Sequence, residues 1–402
     1  MAQPADILLT QRFPPEHGGS IRWMHEVYRG WPRPVHVITH DYYDAPPRTP
    51  EFPGVPQRPQ TGDDVTAANL TMDRRDIFLH DWGVASLANL RRYLRMTTAV
   101  KQQLAIHRRI RVHCTHVLPE VLSLLPLRWR YGRRLQIVCY AHGEEITACG
   151  SSRQLSFLMR RGYAIVDLLL ANSQYTAGLA ADHVAAEKIH VVHPGVEVAE
   201  FADADAAGAR WRQEQGYDDK IVVVTVGRLD PRKNQAAVVD AVADLAGQFA
   251  NLLYVVAGEG RQMSALRQQV AERGVEKHVV FTGPIDGQLR LALFGACDVF
   301  AMPAIQDGTD VEGFGIVFLE AGACGKATLG GTVGGQADAV DDGQTGLLVD
   351  GDNQPAVTAA LEKLLRDGDL RCRLGGQGRA KAREHDWARV IQRTVELVEE
   401  LG

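Results

Sequence analysis

Arg228 and Lys233 stand in the run Gly227-Arg228-Leu229-Asp230-Pro231-Arg232-Lys233-Asn234, directly behind the β-branched stretch 221–226. A guanidinium and an ammonium fixed where a strand ends can hold a diphosphate and stabilise it as a leaving group. Either residue alone reads better as a solvated basic turn; the place behind a buried strand brings the two readings level. A second constellation is Glu312-Gly313-Phe314-Gly315-Ile316-Val317-Phe318-Leu319-Glu320. Gly313 and Gly315 let backbone N–H groups approach a ligand beside Phe314, and Ile316 opens a helix whose start favours phosphate. Glu312 falls in the loop and Glu320 inside the helix. The two therefore suit hydrogen bonds from sugar hydroxyls better than a flanking acid/base pair. Glu320 could also pair locally, since a carboxylate set in Phe318-Leu319-Glu320-Ala321 faces burial and burial demands a partner.

His142-Gly143-Glu144-Glu145 is the third constellation, placed after the stretch 135–140. A lone histidine is more often a satisfied core residue than a catalyst, but this one ends a strand. Pro14-Pro15-Glu16-His17-Gly18-Gly19-Ser20 is the fourth and weakest, with paired glycines ahead of a helix.

Elements that could position these groups alternate along the chain. In the second half, strands are expected at 221–226, 252–257, 278–282 and 298–302, with one helix from 235 to 249 and another after Gly260 through 273. The third of these strands, at Thr282, runs into Gly283-Pro284. In the first half, strands are expected at 7–10, 35–39, 112–116, 135–140 and 168–172, and helices at 20–30, 84–107 and 153–166. Alternating strand, turn and helix indicates parallel sheets with right-handed crossovers. The expected architecture is α/β: two Rossmann-like domains facing each other across a cleft, residues 1–197 and 198–379. Ligands of such sheets sit beyond the carboxyl ends of the strands. The tail has Val390, Ile391, Val395 and Val398 on one helical face. Six prolines between Pro46 and Pro59 exclude a central strand and suggest an extended surface loop.

Composition sets the outer bounds. A chain of 402 residues, 45% hydrophobic and 23% charged, is too long for one core and too apolar for a disordered chain. No apolar stretch reaches the roughly 18 residues of a spanning helix, and no secretory leader is evident at 1–10. Six cysteines without a CxxC pair fit a reducing cytoplasm. No GxxxxGK[ST] loop argues for P-loop hydrolysis, and no GxGxxG opens either domain. His36 and His40 on a strand would be roughly 13 Å apart, too far to share an ion. Asp350-Gly351-Asp352 reads as a solvated turn, and no metal site is indicated.

Charge is unevenly divided. Residues 1–200 hold 23 Lys/Arg against 19 Asp/Glu, and the remainder holds 21 against 30. Within 91–134 there are eleven basic residues and one acid, Glu120. Such a density repels itself unless an anion is nearby.

In this order and spacing the segments resemble a family 4 glycosyltransferase with the GT-B fold. Glu312 and Glu320 match the family's E-x7-E element, Arg228 and Lys233 its diphosphate-binding pair, His142 its HG position and Gly18-Gly19 its first-loop glycines. Asp298-Val299-Phe300-Ala301-Met302-Pro303 and Asp310-Val311-Glu312-Gly313 are most similar to mannosyltransferases that modify phosphatidylinositol. So is Gly334-Gly335-Gln336-Ala337-Asp338-Ala339-Val340, although the family more usually has a proline near Ala337. The resemblance is best from about Leu168 onward and thinner before Leu135.

The resemblance implies a retaining transfer from a nucleotide-diphosphate sugar, with a lean towards GDP-mannose, to a lipid, lipid-linked or glycan hydroxyl. Arg228 and Lys233 would hold the diphosphate, and Gly19 would offer its N–H to the distal phosphate. Glu320 would bind ribose. Glu312 with Gly313, Phe314, Gly315 and Ile316 would fix the hexose, Thr282-Gly283-Pro284 would read the base, and His142 would contact the hexose near the reacting carbon. The departing diphosphate could accept the acceptor's proton, and no Mg²⁺ or Mn²⁺ cofactor would be required. The first domain would hold the acceptor, the tail 380–402 would return to it, and the second domain would hold the donor. Leu87, Leu90, Leu94 and Val100 with Arg91, Arg92, Arg95 and Lys101 suit a helix lying on an anionic membrane, the inner face in a cytoplasmic protein. A solvated basic face is the plain alternative, and nucleic acid is not expected as a partner. Among functions, a UDP-sugar transferase with a soluble acceptor, a nucleotide-sugar epimerase and a non-catalytic sugar-nucleotide sensor remain as alternatives.

Overall fold

The computed structural model describes residues 3–14, 16, 18–41, 67–79, 82–84 and 86–402. His17 and the proline-rich segment 46–59 lie outside the described residues. The chain divides into two compact units, Met1–His193 with Trp387–Gly402, and Pro194–Asp386.

In the first unit seven strands form one parallel sheet: β1 Ala5–Leu9, β2 Val35–His40, β3 Leu70–Arg75, β4 Ile110–Cys114, β5 Leu135–Ala141, β6 Leu168–Ala171 and β7 Ile189–Val191. Their spatial order is β3-β2-β1-β4-β5-β6-β7. The central strands β4 and β5 are buried throughout, as continuous apolar runs with helices on both faces should be. The order in which strands are added reverses between β1 and β4, so the turns leaving these two parallel strands open a crevice at their carboxyl ends. Thr10 to Gly19 leave β1, His116 follows β4 and His142 follows β5.

The second unit repeats the design with six parallel strands: β8 Ile221–Val226, β9 Leu252–Ala257, β10 Val279–Gly283, β11 Val299–Met302, β12 Ala327–Gly331 and β13 Gly346–Val349, in the order β10-β9-β8-β11-β12-β13. Its switch point lies between β8 and β11. The turn leaving β8 carries Arg228 and Lys233, and the loop leaving β11 carries Glu312, so topology alone delivers these groups to one crevice.

Four strands have no counterpart in the sequence reading. β3, Leu-Thr-Met-Asp-Arg-Arg, buries only Leu70 and lies at an edge, where Arg75 pairs with Asp73 at 2.7 Å. Polar charged residues are what an edge strand carries to avoid pairing with another chain. β7 has three residues, β12 is Ala-Thr-Leu-Gly-Gly, and β13 is another edge. None presents the long β-branched run that marked β8 or β9.

The units divide after His193, earlier than 197, and the chain re-enters the first unit at Trp387, later than 380. The reason is packing. The helix Gly368–Glu384 stays in the second unit, where Gly378 lies against Gly322 of the helix Ile316–Ala323. Val196 donates to the His385 carbonyl at 2.9 Å and keeps that end there. Beyond it the helix Trp387–Glu399 buries Trp387, Val390, Leu397 and Val398 against Trp23, Met24 and Tyr28, with Ile391 and Val395 partly buried beside them. Among the described residues no helix is long and apolar enough to cross a membrane.

Candidate active site

In the second unit the turn after β8 is held by its neighbours' backbones. Leu229 donates to the Glu259 carbonyl at 2.9 Å, and Gln262 donates to that of Leu229 at 3.0 Å. Gly258, at φ +131°, comes so close to Gly227 that a Cβ would meet its carbonyl oxygen at 2.0 Å. Glycine is needed there for contact as well as for conformation. Asn234 ends the turn in the left-handed region at φ 56°, and its buried amide donates to the carbonyls of Pro303 at 3.0 Å and Gly351 at 2.8 Å. One side chain thus ties the ends of three strands together.

On this frame Lys233 and Glu312 meet. The Lys233 ammonium donates to Glu312 Oε2 at 2.5 Å, and the Arg232 guanidinium pairs with the same oxygen. Arg232 Nε reaches Asp310 at 3.0 Å. All three side chains at Arg232, Lys233 and Glu312 are buried. Burial alone would raise the Glu312 pKa, but the charges of Lys233 and then Arg232 hold it down at about 2. Burial and the like charges of Arg232 and Arg228 push the Lys233 ammonium below its ordinary value, against the pull of Glu312. Arg228, by contrast, is exposed and pairs with Asp230 at 3.3 Å. The two cations read as one diphosphate clamp therefore differ: one reaches outward, the other is bonded to a carboxylate read as a separate sugar ligand.

Glu320 is buried, as its apolar surroundings required, and Arg290 is its partner at 2.5 Å. Arg290 also reaches Glu200 at 2.9 Å and lies over the Phe201 ring. Gly315 caps the helix Ile316–Ala323 at φ +94°, in the left-handed region that suits glycine. Phe314 itself is buried. Thr282 and Gly283 end β10 and Pro284 follows it, and the Gly283 carbonyl accepts from Gly258 at 2.9 Å. That places them two strand spacings, about 10 Å, from the β8 turn, within the span of a nucleoside diphosphate.

In the first unit His142 is buried, with Nε2 against the Thr115 carbonyl at 3.1 Å. A carbonyl only accepts, so Nε2 carries the hydrogen and Nδ1 is the acceptor. Its backbone N–H goes to Glu145 at 2.8 Å, and its carbonyl accepts from Asn172 at 3.1 Å. Burial, and next the charge of His116, push the His142 pKa well below its ordinary value, so this imidazole is neutral. Burial also raises that of Glu145. Trp23, on the helix Gly19–Arg29, meets the His142 ring edge-on at 5.4 Å. The helix that starts at the exposed glycines Gly18 and Gly19 thereby packs on the His142 turn.

Several of these residues escaped the sequence reading. Arg232 sits beside Lys233 with nothing to distinguish it from a solvated arginine. Asp310, Arg290, His116 and Glu120 acquire partners only through the fold. The basic segment also changes character. Arg92 and Arg95 pair with Asp76, Arg111 with Asp6 and Arg128 with Asp167, three acids from outside the segment. Val100 faces the core and not a membrane, whereas Leu87, Leu90 and Leu94 are exposed. On a helix of 3.6 residues per turn, Val100 joins Met96 and Leu104 on the buried stripe.

A family described as "Glycosyltransferase Family 4" matches residues 17–200, and one described as "Glycosyl transferases group 1" matches 209–381. A GDP-mannose-dependent alpha-(1-6)-phosphatidylinositol monomannoside mannosyltransferase of Mycolicibacterium smegmatis is 36% identical over 69% of this chain and 73% of its own length. The protein so named in Mycobacterium tuberculosis is 34% identical over 64% of this chain and 68% of its own. Among solved structures, Anabaena HepE with UDP superposes with a TM-score of 0.77 at 18% identity, covering 98% of this chain and all of that one. WaaG, a glycosyltransferase of lipopolysaccharide biosynthesis, gives 0.70 at 18%, covering 97% and 99%.

Proposed function

Since the chain belongs to glycosyltransferase family 4 and has the GT-B fold, we propose that it transfers a mannosyl group from GDP-mannose to a hydroxyl of a phosphatidylinositol-type glycolipid, with retention of configuration. The observation that carries this reading is the meeting of Lys233, Arg232 and Glu312 at the switch point of a parallel sheet, one helix away from Glu320. The donor and acceptor follow from what the mycobacterial relatives are named for.

In this reading the second unit binds the donor. Arg228 and Lys233 neutralise the departing diphosphate, and Gly19 donates its N–H to the distal phosphate. Glu312 and the backbone from Gly313 to Ile316 hold the hexose, Glu320 the ribose, and Thr282 to Pro284 the base. The first unit binds the acceptor, and neutral His142 touches the hexose without adding charge near the reacting carbon. The leaving diphosphate takes the acceptor's proton, so the C1–O bond to phosphate breaks as the acceptor oxygen bonds on the same face. In this reading Arg228 and Lys233 supply the positive charge that stabilises the leaving group.

Membrane contact belongs to the same reading: the protein works peripherally at the inner face of the membrane. Leu87, Leu90 and Leu94 are exposed on the helix Leu87–Ile106, and Trp129 is 89% exposed on the helix Leu125–Tyr131. Arg91, Lys101, Arg130 and Arg133 are exposed on and beside them, a pattern suited to anionic headgroups.

The test is product analysis with GDP-mannose, UDP-glucose or UDP-N-acetylglucosamine, with and without phosphatidylinositol mannoside vesicles. A new α-mannosylated lipid from GDP-mannose alone is expected. Lys233→Ala and Glu312→Ala should each lower kcat/KM by ~10²-fold or more. Turnover of the donor into an epimer without acceptor, or unaltered turnover in both variants, would overturn the assignment.

A further inference from the structure

Lys233 and Glu312 have separate tasks in the reading above, diphosphate and hexose, yet they are bonded to each other at 2.5 Å. A diphosphate that recruits Lys233 draws on the same positive charge that compensates this carboxylate. If nothing replaced the ammonium, Glu312 would be left as a buried charge without compensation, which is strongly unfavourable. The chain supplies a replacement already in contact. Arg232 pairs with the same Oε2, and its Nε reaches Asp310 at 3.0 Å.

Resting on the donor-site reading, we infer that Arg232 is a positioning residue, the counter-ion that keeps Glu312 compensated while Lys233 turns to the diphosphate. Two features decide which cation moves. Arg232 is anchored at both ends: its guanidinium spans two carboxylates, and its backbone carbonyl accepts from Ile305 at 2.8 Å. A planar fork held at two points is pre-organised, whereas an ammonium on a four-carbon stem swings at small cost. Charge agrees with this. Lys233 and Arg232 share Glu312 Oε2, so removing Arg232 leaves Lys233 as the cation on that oxygen and binds it there more tightly.

The experiment measures binding of GDP and UDP, which carry diphosphate but no hexose, by titration calorimetry and thermal shift. Arg232→Gln should weaken nucleotide binding tenfold or more, and Arg232→Lys should retain most of it. Glu312→Gln should bind the nucleotide at least as tightly as wild type, because Lys233 is released. Adding Glu312→Gln to Arg232→Gln should restore binding, which a merely structural role for Arg232 would not do. Unchanged affinity in Arg232→Gln, or a double variant as weak as the single one, overturns the inference alone. Should Arg232→Gln fail to fold, weaker binding in Glu312→Gln overturns it. Wild-type protein that binds neither nucleotide overturns the donor-site reading itself, and this inference with it.

Discussion

The imidazoles of His142 and His116 lie 5.0 Å apart at an interplanar angle of 47°, and the fold drives their charges in opposite directions. Burial lowers the pKa of both. The His142 ring suffers the His116 charge as well. For His116 the hydrogen bond and charge of Glu120, with further help from Glu145 and Glu144, overcome burial and raise its pKa. Glu120 is itself fixed by Gln11 N–H at 3.0 Å, His116 N–H at 2.7 Å and the Thr115 hydroxyl at 2.8 Å.

A pH dependence follows with a definite sign. A raised folded pKa means that His116 contributes stability fully below its unfolded value, near 6.5, and loses it as pH rises through the folded value. The gap in thermal stability between wild type and His116→Gln should therefore be wider at pH 6 than at pH 9. Denaturation followed by circular dichroism across that range measures it, and a gap that widened with pH would contradict the assignment.

Glu312 gives the opposite slope. With its pKa held at about 2 by Lys233 and Arg232 against burial, its contribution is present above the unfolded value of 4.5 and lost as pH falls towards 2. Glu312→Gln should destabilise the second unit by about 3 kcal/mol at neutral pH, the usual cost of breaking a buried pair. That difference should shrink between pH 4.5 and 2. Urea denaturation at several pH values would show it, and a difference independent of pH would rule out the charge as its source.

Asn234 tests the frame that carries the cations. Asn234→Gly keeps the left-handed backbone and loses two buried hydrogen bonds, at about 1–3 kcal/mol. Asn234→Asp presents a carboxylate to the carbonyls of Pro303 and Gly351 and should cost more, at about 3 kcal/mol or above. Chemical denaturation ranks the two, and the reverse order would show that backbone conformation outweighs the amide's bonds.

Much of this frame was legible because buried parallel strands announce themselves. The runs 221–226 and 252–257 are apolar and β-branched, and each ends in glycine, so the positions of Arg228, Lys233 and Gly258 followed. The paired carboxylates Glu312 and Glu320 were legible from spacing and from apolar neighbours that made burial costly. What stayed hidden was pairing across sequence distance. Nothing near Glu320 points to Arg290, 30 residues earlier, and nothing near Arg92 points to Asp76 as its neutraliser. Edge strands such as Leu70–Arg75 stayed hidden for a related reason: their fitness lies in polar residues, which carry no alternating signal.

The redistribution of charge in the first unit sharpens the membrane prediction. Of the eleven basic residues in 91–134, four are matched by acids elsewhere among the described residues. In the proposed contact, attraction to anionic lipid rests on the exposed cations paired with no acid among the described residues, Arg91, Lys101, Arg108, Arg130, Arg133 and Arg134, each contributing about 1 kcal/mol near a charged surface. Arg91→Glu with Arg133→Glu should weaken flotation with phosphatidylinositol-containing vesicles at least tenfold, and 0.5 M salt should do much the same. Trp129→Ser should weaken binding at every salt concentration, because its ring contributes through apolar burial and not through charge. Equal flotation with neutral and anionic vesicles at low salt would leave the basic face merely solvated, with the acceptor reaching the protein some other way.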